Sequence, residues 1–100
     1  MLNIEKMKEG DALIVKLEGR LDTFTSPTLL EDVEPLLDSV SKLTLDFGQV
    51  DYISSAGRRV LLTFEQEMEE QNKPIEISSI NEVIRDVFAV TGFLDLLTII

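Results

Sequence analysis

The spacing of apolar residues switches along this chain between every second residue and every third or fourth, and that alternation constrains the fold more than any other feature. Leu2 and Ile4, then Leu13, Val15 and Leu17, repeat at two-residue spacing, as strands with one buried face do. Glu9, Gly10 and Asp11 lie between them and predict a turn, so the chain opens with a β-hairpin. Leu29, Val33, Leu36, Leu37 and Val40 follow at helical spacing, with Ser26 as the expected N-cap and Pro27 at the first helical position. Pro35 falls inside that run, where proline costs a helix about 3 kcal/mol, and predicts a kink or an early end.

Lys42 to Phe47 reads as a short central strand between polar turns. Ala56, Val60, Leu61, Phe64 and Met68 mark one face of a second helix, which should stop near Asn72 before Pro74. Ile75-Glu76-Ile77 reads as a further strand. Ser79-Ile80-Asn81-Glu82 has capping-box spacing and announces a third helix buried through Ile80, Val83, Ile84 and Val87, with Gly92 as its stop. Leu96 to Ile100 is apolar enough for a last turn or an edge strand. The order β-β-α-β-α-β-α predicts a mixed α/β fold rather than a bundle or a sandwich, and 100 residues fit a single domain spanning 1–100.

Composition removes several function classes. The chain has neither cysteine nor histidine, so disulfides, thiolate metal sites and the commonest general base are unavailable. No metal or other cofactor is expected: the carboxylates of Glu65, Glu67, Glu69 and Glu70 radiate around a helix, marking its solvated end. No nucleophile has a visible base, which argues against an enzyme. A net charge of −10 opposes direct contact with nucleic acid and suits a basic protein partner. The longest apolar runs fall far short of the roughly 20 residues that span a bilayer, so the expectation is a cytoplasmic protein without membrane insertion.

The most informative segment runs from Leu45 to Gly57, where a short apolar strand and a turn lead to two serines, Ser54 and Ser55, that open the second helix. Unpaired backbone N–H groups and the positive end of the helix dipole sit there, so a phosphoryl group is tolerated. Serine at such a position is commonly a plain cap.

The Leu45–Gly57 segment resembles the signature of the anti-sigma factor antagonists, small bacterial proteins of the STAS-domain family. Gly19-Arg20-Leu21-Asp22-Thr23-Phe24-Thr25 is similar to the family's Gly-x-Leu-Asp loop, and Gly92-Phe93-Leu94 to its Gly-Leu-Phe turn. The resemblance covers nearly the whole chain. It implies a STAS fold, an α/β domain with a small mixed β-sheet and helices packed mainly on one face, and, with the motif glycine on Gly57, a phosphoacceptor at Ser55. Ser54 stands where the family often has aspartate, and Arg58 where an apolar residue is common. Arg58 and Arg59 oppose the dipole of the helix they begin, yet lie three and four residues past Ser55, within reach of a phosphate there. Pairing with Asp51 or Asp22 is the plain alternative. Asp22 and Thr25 belong to the loop that in the family flanks the phosphoserine and adds to the partner's footprint.

The function so implied is partner switching. In that family the unphosphorylated antagonist binds an anti-sigma factor serine kinase, releasing a sigma factor for transcription. The kinase phosphorylates the motif serine and a serine phosphatase restores it. The partner-binding set carried over is Asp22, Thr25, Ser54, Ser55, Gly57, Arg58 and Arg59. The alternative is a STAS regulatory subunit docked on a transporter ATPase.

Overall fold

In a computed structural model of the chain, which describes residues 1–100, the opening hairpin pairs β1 (Leu2–Glu9) antiparallel to β2 (Ala12–Leu21), with Ile4 opposite Leu17 and Lys6 opposite Val15. α1 (Ser26–Val33) leads through a 3₁₀ segment (Glu34–Ser39) to β3 (Lys42–Ile53), which lies parallel to β2. α2 (Ser55–Glu70) then crosses to β4 (Ile75–Ser78), and α3 (Glu82–Thr91) and α4 (Phe93–Leu96) lead to β5 (Thr98–Ile99). The sheet order is β1-β2-β3-β4-β5. Each parallel strand is added beside the last in the same direction, and right-handed crossovers then bring the connecting helices to one face.

Burial follows that geometry. Leu13, Val15 and Leu17 of β2, Leu43, Leu45 and Phe47 of β3 and Ile77 of β4 face the helices and are nearly inaccessible. Leu29 and Val33 of α1 and Leu61, Phe64 and Met68 of α2 cover them, each worth roughly 1.5–3 kcal/mol of apolar burial. Phe88 of α3 meets Phe47 with ring centroids 6.2 Å apart. The opposite face carries Glu5, Lys16 and Glu18, and a Lys42–Glu76 ion pair joins β3 to β4 across it. No helix is long and apolar enough to cross a membrane.

Several local expectations need correction. β3 runs on to Ile53 with no turn before the serines. Its register against β2 shifts between Lys16 and Glu18 and again between Gly19 and Arg20, so Phe47, Val50 and Ile53 are buried at three-residue intervals. Each shift inserts one residue into β3 and turns the strand's buried face back to the core. Ser26 is buried and gives its hydroxyl proton to Asp22 O, so it caps nothing; α1 begins after Thr25. Pro35 ends α1 as its chemistry requires, in the 3₁₀ segment. The cap of α3 is Asn81, whose Oδ1 accepts the Ile84 N–H at 2.9 Å, whereas Ser79 takes a φ of +64° outside the helix. Val83 is exposed, and Ile84 and Phe88 form the buried stripe of α3. Gly92 stops α3 in the left-handed conformation, φ +82°.

Candidate functional site

The end of β2, the end of β3 and the start of α2 are tied at one point. Ser54 N–H donates to Leu21 O at 2.9 Å, and Ser54 Oγ accepts the Gly57 N–H at 3.1 Å. Ser54 O accepts the Arg58 N–H at 3.0 Å, closing the first turn. Ser54 is therefore the cap, with both its backbone groups and its hydroxyl engaged. Ser55, the first residue of α2, is exposed on the side away from Leu61, Phe64 and Met68. Of the first four N–H groups of the helix, those of Ser55 and Ala56 have no acceptor in its ladder.

Gly57 is buried for a reason of distance. A Cβ there would stand 2.8 Å from Leu21 Cγ, 2.9 Å from Leu21 O and 3.0 Å from Ile53 Cγ1. Only glycine lets the first turn of α2 settle on the end of β2, and this contact brings Ser55 beside the loop that follows Leu21.

That loop satisfies its own polar groups. Asp22 Oδ1 accepts N–H groups from Phe24 at 2.9 Å and Thr25 at 3.0 Å, an Asx turn. Thr25 Oγ1 donates to Arg20 O at 2.8 Å and accepts the Asp22 N–H at 2.9 Å. The N–H donors of Thr25 and Phe24, with Arg20 beside them, hold the Asp22 carboxyl below the usual range against a smaller opposing effect of desolvation. Arg20 Nε lies 3.8 Å from Asp22 Oδ2 and its guanidinium 4.1 Å from the Tyr52 ring centroid. Asp22 and Thr25 thus shape the loop, and their polar atoms already have partners within it.

The guanidinium groups of Arg58 and Arg59 have none. The chain's ion pairs are Arg20–Asp22 and Lys42–Glu76, so the plain alternative of an Arg58 or Arg59 pair with Asp51 or Asp22 does not form. Arg58 is half-buried and Arg59 exposed, and by helical spacing they flank Ser55 on the next turn. Arg59 also borders a groove of about 240 Å³ between α1 and α2, together with Thr23, Pro27, Leu30, Ala56 and Val60. The structure brings Asp22, Thr25, Ser54, Ser55, Gly57, Arg58 and Arg59 to one end of the sheet.

Phe24, which the sequence reading did not single out, is 89% exposed on the tip of the self-bonded loop. Its signal was a bulky aromatic matching neither apolar period. The carboxylates at the other end of α2 also differ from expectation, since Glu65 and Glu67 are half-buried. Burial pushes both carboxyls up, and the neighbouring Glu69 and Glu34, respectively, push further.

The family profile described as the STAS domain matches residues 3–100. This chain belongs to the STAS family. Among STAS relatives, the anti-sigma-B factor antagonist of Staphylococcus epidermidis is 29% identical over 97 residues, 96% of this chain and 90% of that protein. A crystal structure of an anti-sigma factor antagonist from Mycobacterium paratuberculosis superposes with a TM-score of 0.90 at 17% identity, covering 99% of this chain and 85% of that one. The Bacillus cell fate determinant SpoIIAA, solved in its phosphorylated form, gives 0.78 at 17% identity, covering 100% and 91%. At these identities the two solved structures establish a common STAS fold.

Proposed function

We propose that this STAS domain is an anti-sigma factor antagonist switched by phosphorylation of Ser55. The unphosphorylated form binds an anti-sigma factor serine kinase in the cytoplasm and frees a sigma factor; the kinase, using ATP, phosphorylates Ser55, and a serine phosphatase reverses the step. The domain is ligand and substrate in this cycle, not catalyst.

The observation that carries the reading is the exposed Ser55 hydroxyl at the first position of α2, beside a serine already committed to capping. The free N–H groups of Ser55 and Ala56, the helix dipole and two unpaired arginines all favour an anion there. Relatives named as antagonists support the partner class, and SpoIIAA has been solved both unphosphorylated and phosphorylated. Phosphate adds about −1.5 to −2 charges to a surface that loses water on docking. An unpaired charge trapped in an interface costs about 2–5 kcal/mol, or roughly 30- to several-thousand-fold in affinity. Repulsion and desolvation are then sufficient, and the domain need not refold.

Incubation with the cognate kinase and ATP followed by peptide mass spectrometry tests the assignment. One phosphate is expected, on Ser55 and not on Ser54, and a Ser55→Ala protein should bind the kinase while staying unmodified. Phosphate on Ser54, or none in this segment, would overturn it.

A further inference from the structure

Phe24 carries an aromatic ring that the fold leaves almost wholly uncovered. Phe47, Phe64 and Phe88 are fully buried, whereas Phe24 is 89% exposed. The backbone beneath it is pinned, with its own N–H on Asp22 Oδ1 at 2.9 Å and the next residue's N–H on the same atom at 3.0 Å. An exposed aromatic on an already ordered loop loses little entropy on docking, the character of an interface anchor.

Its position ties it to the switch. Thr23, the preceding residue, and Ala56, which follows Ser55, line the same groove between α1 and α2. A kinase acting on Ser55 must cover that hydroxyl, and an ordinary interface of about 800 Å² per partner extends roughly 16 Å from its centre. Such a footprint centred on Ser55 spans the groove and reaches the Phe24 loop.

We infer that Phe24 is the apolar anchor of the docking surface, its ring entering a socket on the anti-sigma factor kinase. Recognition then divides between two neighbours. Phe24 supplies affinity insensitive to salt, and Ser55 supplies the charge that removes it. The inference rests on the function proposed above.

The test titrates each purified anti-sigma-type serine kinase of the source bacterium with the full-length wild-type, Phe24→Ala and Phe24→Leu proteins, at low and high salt. For the kinase that binds wild type, Phe24→Ala should weaken binding at least tenfold at both salt concentrations, with Phe24→Leu retaining most of the affinity. Melting temperatures should match closely, because the ring is almost wholly exposed in the free domain, and phosphorylation of Ser55 should still weaken whatever binding remains. Equal binding by wild type and Phe24→Ala would overturn the anchor and leave the proposed function standing. Binding of wild type to none of these kinases would overturn the function and the anchor with it.

Discussion

Gly57 is the residue on which the position of the whole site depends, since it sets how closely α2 approaches the end of β2. Alanine there would press on Leu21 Cγ and on Leu21 O, a backbone atom that cannot swing aside. Overpacking of this kind costs about 1–3 kcal/mol. Urea denaturation of Gly57→Ala should show that loss, although alanine is the better helix former; equal stability would mean that α2 can lift without consequence. Asp22 and Thr25 were legible in the sequence as loop residues, but their bonding was not. Both meet acceptors or donors supplied by Arg20, which no spacing rule connects to them. Phe24 was legible only as an exception to both periods.

At the scale of elements, the helix cores and the hairpin could be read directly, because each keeps one apolar period over several turns or pairs. β3 could not be followed past Phe47, since its two register shifts replace alternation by the spacing Phe47, Val50, Ile53. The start of α3 was misread because Asn81 has a tertiary reason to cap: its Nδ2 also donates to Val50 O at 2.9 Å. The start of α2 allows a direct test. If Arg58 or Arg59 contacts a phosphate on Ser55, phosphorylation should raise the melting temperature by an amount worth about 0.3–1 kcal/mol at low salt, less at high salt. The Arg58→Gln/Arg59→Gln double variant should lose most of that gain, and the unmodified variant should be as stable as wild type or slightly more so. A full gain in the double variant would assign the arginines to the partner instead. The other end of α2 has its own pH signature. The Glu67 carboxyl is raised above its ordinary 4.5 by burial and by Glu34, so protonation favours the folded state. That contribution is fully present below pH 4.5 and is lost as pH rises through the raised value. Glu67→Gln should therefore melt higher than wild type at pH 7, the difference closing toward pH 4; a constant difference across that range would point to packing rather than charge.

For the molecule as a whole, a sheet covered on one face leaves the site at one end, where β2, β3 and α2 meet. A net charge of −10 adds long-range attraction to a basic partner, so encounter should slow with added salt. In the proposed switch a phosphate on Ser55 is a local change in charge at the start of α2, near Arg58 and Arg59, and that change alone ends the complex. The direct measurement is the dissociation constant of the anti-sigma factor kinase for the unmodified protein and for the same protein stoichiometrically phosphorylated on Ser55. Circular dichroism of both forms accompanies it. Identical spectra are expected, with an affinity lower by about 30-fold or more for the phosphorylated form. Equal affinities would contradict the switch, and a weakened complex accompanied by an altered spectrum would contradict the claim that charge suffices without refolding.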